Sequence, residues 1–151
     1  KIFTAWFTSG LGILQLIISR LPERGGWTNY RRFSVSRFST INPSVLNNEE
    51  KNTLLEAFGD VKDEKFPSLV ERVARLTNRA DLEDNEYSQF KRAFDDNIVN
   101  SLGDGFEAAV TLDDAVLQVL GKDDADQREY ILGEMYPRLL MELVELKEMM
   151  D

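Results

Sequence analysis

With 151 residues, 42% of them hydrophobic and 30% charged, the chain can bury one sizeable core and is not disordered throughout. It contains no Cys and no His, which excludes disulfides, thiolate nucleophiles, Cys-ligated zinc, imidazole general bases and Ser-His-Asp arrangements. The net charge of −9 is uneven: residues 1–47 carry six basic groups against one acid, a net of +5, while residues 48–151 carry 12 basic and 26 acidic groups, a net of −14.

In chain order, Ile2 to Ser19 is uncharged and mostly apolar. It is just long enough to consider as a membrane span, but Thr4, Thr8, Ser9, Gly10, Gly12, Gln15 and Ser19 dilute it, and a helix buried in protein is expected instead. Lys1 is a thin basic region, no small-x-small cleavage site follows, and the chain opens on Lys rather than Met. Excision from a longer, cytoplasmic polypeptide is the expectation. Leu21 to Gly26 reads as a turn, punctuated by Pro22 and paired glycines. Trp27 to Phe38 is rich in aromatic and β-branched residues, with Phe33 and Val35 alternating with Ser34 and Ser36. It reads as a short extended or two-stranded segment. Ile41 to Ser44 breaks it.

From there the pattern is helical. Asn47 or Asn48 can cap a helix through Phe58, with Glu50 placed for a capping box and Gly59 as terminator. Pro67 suits the first position of a second helix presenting Leu69, Val70, Val73 and Leu76 on one face. Asp81 to Glu86 is an acidic loop. Tyr87, Phe90, Phe94, Ile98 and Leu102 repeat at three and four before Gly103. Thr111 to Asp114 reads as the cap of a helix ending at Gly121. A last helix from about Asp124 to Met150 should be kinked or divided by Pro137. Leu139, Leu143, Leu146 and Met150 make an apolar stripe on it, either core or a docking face for a partner or a second copy. The fold class is mainly α, organised as an apolar helix plus basic extended segment (1–47) and an acidic helical domain (48–151).

Few residues suggest chemistry. Asp123, Asp124 and Asp126 begin like a calcium loop but lack its Gly and closing Glu, so a solvated helix N-terminus explains them. Glu145-Leu-Lys147 sits on an amphipathic helix, where no rigid core element brings carboxylates together on a metal. Asp95 and Asp96 read as capping or as pairing with Arg92. Gly10-Leu-Gly12 and Gly103-Asp-Gly105 are too short for phosphate loops, and Asn42-Pro43-Ser44 is only a fragment of an Asn-Pro-Pro-aromatic motif. No catalytic, cofactor-binding or metal-binding residue is assigned.

The informative stretch is basic and aromatic. Arg20, Arg24, Arg31, Arg32 and Arg37 interleave with Trp27, Tyr30, Phe33 and Phe38. Arg offers planar donors to phosphates and guanine edges, and aromatics stack on bases. The same composition also suits aromatics in a core and arginines paired with the acidic half, and composition leaves both open.

The run from Phe3 to Leu46 resembles a segment near the C-terminus of large adenine-N6 DNA methyltransferases of the restriction-modification and phage-defence type. In that family a helix of the pattern W-x-N-S-x-x-G-x-L-x-x-L leads to a basic Gly-containing turn, a Trp and an extended segment. Trp6, Ser9, Gly12, Leu14 and Ile17 match the helix; Arg24, Gly25, Gly26 and Trp27 match the turn; Arg31, Arg32, Val35, Phe38 and Ile41 follow the extended segment. Thr8 stands where the family has Asn, and Gly10 where it has Thr or Leu. Arg92 to Gly103 is similar to a helix near the family's end, and the helices beyond Gly121 match nothing in it.

The resemblance implies a fragment from the target-recognition side, contributing to DNA recognition or scaffolding and not to catalysis. Arg20, Arg24, Trp27, Tyr30, Arg31, Arg32 and Arg37 would be its DNA-binding residues. The parent would bind S-adenosylmethionine and methylate adenine in double-stranded DNA. The cofactor loop and catalytic motif belong to an upstream methyltransferase domain and do not occur in this chain. Partners would be duplex DNA through the parent and that upstream domain, with a second copy as a further option and no membrane. The alternative is a helical protein–protein interaction module with no nucleic-acid role.

Overall fold

The computed structural model describes residues 1–19, 21–22, 28–29, 38–63 and 107–150. The chain is mainly α. Its described elements are α1 (Ile2–Thr8), α2 (Gly10–Ile18), β1 (Leu21–Pro22), β2 (Thr28–Asn29), α3 (Asn48–Lys62), α4 (Glu107–Val119) and α5 (Ala125–Met150). The expected helices after Pro67 and from Tyr87 to Leu102, and the acidic loop 81–86, lie outside the described residues.

The apolar run at the start forms two helices where the sequence suggests one. Ser9 stands between them in an extended conformation (φ −66°, ψ 153°) and caps both. Its backbone N–H donates to the carbonyls of Ala5 and Trp6, ending α1. Its side chain accepts from the Gly12 N–H at 3.2 Å, opening α2. Ser is a favoured N-cap because its short side chain reaches the otherwise unpaired N–H groups of the first turn. Broken in this way, the run offers no helix among the described residues long and apolar enough to cross a membrane.

Leu21 and Pro22, expected in a turn, instead pair antiparallel with Asn29 and Thr28. This two-residue ladder is the extended structure among the described residues, and it starts earlier in the chain than Trp27.

α3 opens with the expected capping box. Asn47 Oδ1 accepts from the Glu50 N–H at 2.9 Å, and Glu50 Oε2 accepts from the Asn47 N–H at 2.7 Å. The helix does not stop at Gly59 but runs on to Lys62. Leu54, Ala57 and Val61 share its inner face, and burial of Val61 offsets the roughly 1 kcal/mol that a mid-helix Gly costs.

Thr111 to Asp114 is likewise interior to a helix, not its cap, because α4 is already helical at Glu107. Its end is as expected. Gly121 adopts a left-handed conformation (φ 83°), its N–H donates to the Gln118 carbonyl, and the Lys122 N–H donates to that of Leu117. These two bonds form a Schellman motif. Arg128 fastens the connection to α5. It donates through Nε to Asp114 Oδ1 at 2.7 Å and through a terminal nitrogen to the carbonyls of Lys122 and Asp123. Asp124 caps α5 by accepting from the Gln127 N–H, and Asp123, Asp124 and Asp126 are exposed.

α5 continues through Pro137 without division. An interior Pro removes one hydrogen bond and crowds the preceding turn. Here its ring is fully buried, within a face that carries Leu132, Met135, Tyr136, Leu139, Leu140 and Leu143 into the core on both sides of it. Leu139 and Leu143 therefore belong to the chain's own interior. Leu146 is half-buried, and the side chain of Met150 lies outside the described residues.

Two clusters make up the described core. One joins Ile17 of α2 and Leu117 of α4 to the inner face of α5. The other joins Ala5 and Trp6 of α1, Ile41 and Leu46, Leu54, Ala57 and Val61 of α3, and Ala108, Leu112, Ala115 and Val116 of α4. α4 contributes to both, and Leu11 of α2 packs against both. The partner of the apolar N-terminal helices is thus α3, α4 and α5 of the same chain.

Because the capping box closes two open N–H groups of α3, Asn47→Ala is expected to lower stability by about 1 kcal/mol. That corresponds to a Tm lower by about 3 °C at this chain length. Asn47→Ser should keep most of the wild-type stability; thermal unfolding followed by circular dichroism checks both.

Candidate functional site

The most constrained polar point among the described residues is where α2, α4 and α5 meet. Asp113 of α4 is 1% exposed. Its Oδ1 accepts from the Gly10 N–H at 2.6 Å, and its Oδ2 accepts from the Tyr136 hydroxyl at 2.5 Å. Gly10 is the first residue of α2, so its N–H is one of those no helical carbonyl can reach. The carboxylate thus serves two donors from two other helices, as a buried polar group must if its desolvation is to be compensated. Beside it Ser9, also 1% exposed, donates its hydroxyl to the Trp6 carbonyl at 2.6 Å.

The glycines of Gly10-Leu-Gly12 have a steric purpose here. A Cβ at Gly12 would stand 2.1 Å from the Trp6 carbonyl oxygen, which is backbone and cannot retreat. A Cβ at Gly10 would stand 2.8 Å from Asp113 Oδ2 and 2.9 Å from the flexible tip of Met135. Both glycines allow the α1–α2 corner to close onto the Asp113 junction. Sealed from solvent, the carboxylate fastens helices together and cannot meet a substrate. Nothing in the sequence marked it: Asp113 reads as one acid in a cap, and its partners lie 103 and 23 residues away.

A second polar contact sits at the foot of the basic segment. Gln15 of α2 donates through Nε2 to the Ser39 carbonyl at 3.1 Å, and its Oε1 accepts from the Ser39 N–H, also at 3.1 Å. One side-chain amide thereby engages both backbone groups of one residue, as a neighbouring strand would. Residues 20–37 lie between these anchors, flanked by the buried Ile17 and Ile41. The expected DNA-binding residues Arg20, Arg24, Trp27, Tyr30, Arg31, Arg32 and Arg37 all fall in that interval and lie outside the described residues, as do Asp95 and Asp96. No group of three or more acidic residues that could hold a metal ion occurs among the described residues.

Comparison with known proteins finds no matching family model, no matching curated protein and no matching solved structure.

The Asp113 junction predicts an ordering of stabilities in urea. Tyr136→Phe removes one buried hydrogen bond and should cost about 1–2 kcal/mol. Asp113→Ala removes the acceptor of both printed bonds and should cost more, about 3 kcal/mol. The double variant should fall short of the sum by at least about 0.5 kcal/mol, as expected for groups in direct contact. Gly12→Ala should be more damaging than Gly10→Ala, since only the latter's neighbours include a side chain free to move.

Proposed function

We propose that this chain is a non-catalytic helical scaffold carrying a basic, aromatic DNA-contacting segment, derived from the C-terminal, target-recognition side of an adenine-N6 DNA methyltransferase. The observation that carries this reading is the distribution of the arginines. All five between Ser19 and Phe38 sit in an interval whose two ends are rooted in the helical core at Ile17 and Ile41. Arginines interleaved with aromatics suit phosphates and stacked bases, and an interval held at both ends loses less freedom on binding than a free tail. The likeness of residues 3–46 to the family supports the same reading. S-adenosylmethionine and the adenine-directed chemistry would belong to the upstream domain of the parent, in the cytoplasm.

The acidic remainder sets a condition. With −14 on residues 48–151, binding by the isolated chain should be weak and confined to low salt. Fluorescence anisotropy with a labelled DNA duplex should show binding that weakens linearly in log–log form as salt rises. Arg31→Ala/Arg32→Ala should reduce low-salt affinity about tenfold or more and flatten the slope by about two units. Unchanged binding by the double variant would remove these residues from the interface.

One observation favours the interaction-module alternative. Phe3 and Phe7, four residues apart on α1, are 52% and 38% exposed, an apolar pair on the outer face of a helix whose Ala5 and Trp6 are buried. On that reading a second copy or a partner covers α1, and the C-terminal stripe is not the docking face. Light scattering across a concentration series should then show self-association that Phe3→Ser/Phe7→Ser abolishes. A concentration-independent monomer would count against self-association.

A further inference from the structure

We infer that Asp113 is a proton-sensitive latch: ionised, it holds the α1–α2 corner onto α4 and α5, and on taking up a proton it loosens that corner. What each partner can do carries the inference. The Gly10 N–H, 2.6 Å from Oδ1, is a backbone group that only donates. It is also the first N–H of α2, where the partial positive charge of the helix end favours an anion. The Tyr136 hydroxyl donates to Oδ2 at 2.5 Å. Both bonds are of the short, charge-assisted kind, about twice as strong as bonds between neutral groups. Because Gly10 demands an acceptor at Oδ1, a proton on the carboxyl must sit on Oδ2 and face the Tyr136 oxygen. The second bond then has to reverse, and the first loses its charge.

Among the described residues Asp113 is the one charged side chain in the interior. α1 and α2 bring no ionisable side chain to the junction, since residues 2–19 contain none. α5 brings Tyr136, with half-buried Glu134 and exposed Arg138 two positions to either side. On α4 itself, Asp114 is bonded to Arg128 at 2.7 Å and Glu107 is exposed. α3, which packs on α4, keeps Glu49, Glu56, Asp60 and Lys62 exposed and Glu50 and Lys51 half-buried. Acid acts in the opposite sense at the surface. The chain carries 27 acidic groups against 18 basic, and protonating exposed acids relieves their repulsion and favours the compact state. The latch's contribution is fully present while Asp113 is ionised, and it is lost as pH falls through the point at which the folded chain protonates it.

The test is urea unfolding of the full chain from about pH 7 to about pH 4, towards the range in which carboxylates take up protons. Asp113→Asn supplies a permanently neutral side chain of the same shape, with one acceptor for Gly10 and one donor towards Tyr136. Asp123→Asn, at an exposed position before α5, is the control. Near neutral pH, Asp113→Asn should raise the equilibrium constant for unfolding about tenfold or more. As pH falls the gap from wild type should close to within about threefold, because the wild type comes to carry a neutral group as well. The control should track the wild type throughout.

Amide hydrogen exchange supplies a readout that a uniform loss of stability would not move. In the wild type the protection of the Gly10 N–H should fall about tenfold on acidification relative to that of Leu54, buried in α3, and in Asp113→Asn the ratio should stay level. A gap between wild type and Asp113→Asn that stays constant or widens with acid overturns the latch, and so does a Gly10 to Leu54 ratio that does not change in the wild type. Should Asp113→Asn fail to fold, Tyr136→Phe decides. It removes a donor to the ionised form, so Gly10 should lose protection at a higher pH than in the wild type, and an unmoved onset overturns the inference.

Discussion

Asp113 accepts a hydrogen bond from the first N–H of α2 and another from a tyrosine hydroxyl of α5, and it does so at 1% exposure. A carboxylate so deeply buried is costly to desolvate, and it persists only where donors surround it. Each donor here comes from a different helix, so the group that most needs partners also sets how three helices meet. The adjoining features follow from that demand. Gly10 has no Cβ because the carboxylate stands where one would go, and Gly12 has none because the Trp6 carbonyl does. Ser9 breaks the apolar run so that an N-terminal N–H is available at the right place.

α4 makes this arrangement possible by presenting two faces. Ala108, Leu112, Ala115 and Val116 serve the cluster shared with α1 and α3, while Leu117 serves the cluster shared with α2 and α5. Asp113 lies between them on the same helix. Ile17 of α2 and Ile41 both enter this packing, so both ends of the basic interval are rooted in protein.

The opposing charges also fit the scaffold reading. The described helices of residues 48–151 expose many of their acids, as Asp123, Asp124, Asp126 and Glu129 do around the start of α5, whereas the interval 20–37 carries five arginines against one acid. On the proposed DNA-contacting reading, a negatively charged body would disfavour DNA elsewhere on the chain and leave the net positive interval as the point of approach.

Local signals in the sequence determined a good deal: the mainly helical class, the capping box at Asn47 and Glu50, the Gly121 terminator and the helix from Asp124, while the apolar N-terminal run is helical but broken at Ser9 and only partly buried. Each depends on residues within one or two turns of one another, so spacing suffices to read it. Tertiary packing decided where local preference yielded. Gly59 and Pro137 do not end their helices, because the faces that carry Val61 and Leu139 have cores to enter. Thr111 to Asp114 is no cap, because its aspartate finds donors 103 and 23 residues away. Gln15, which reads only as a polar dilution of an apolar helix, meets Ser39, 24 residues away. The arginines were legible as a charge pattern alone. Charge and composition are properties of sequence, but which buried polar groups find partners depends on contacts between distant residues, and only the folded chain brings those together.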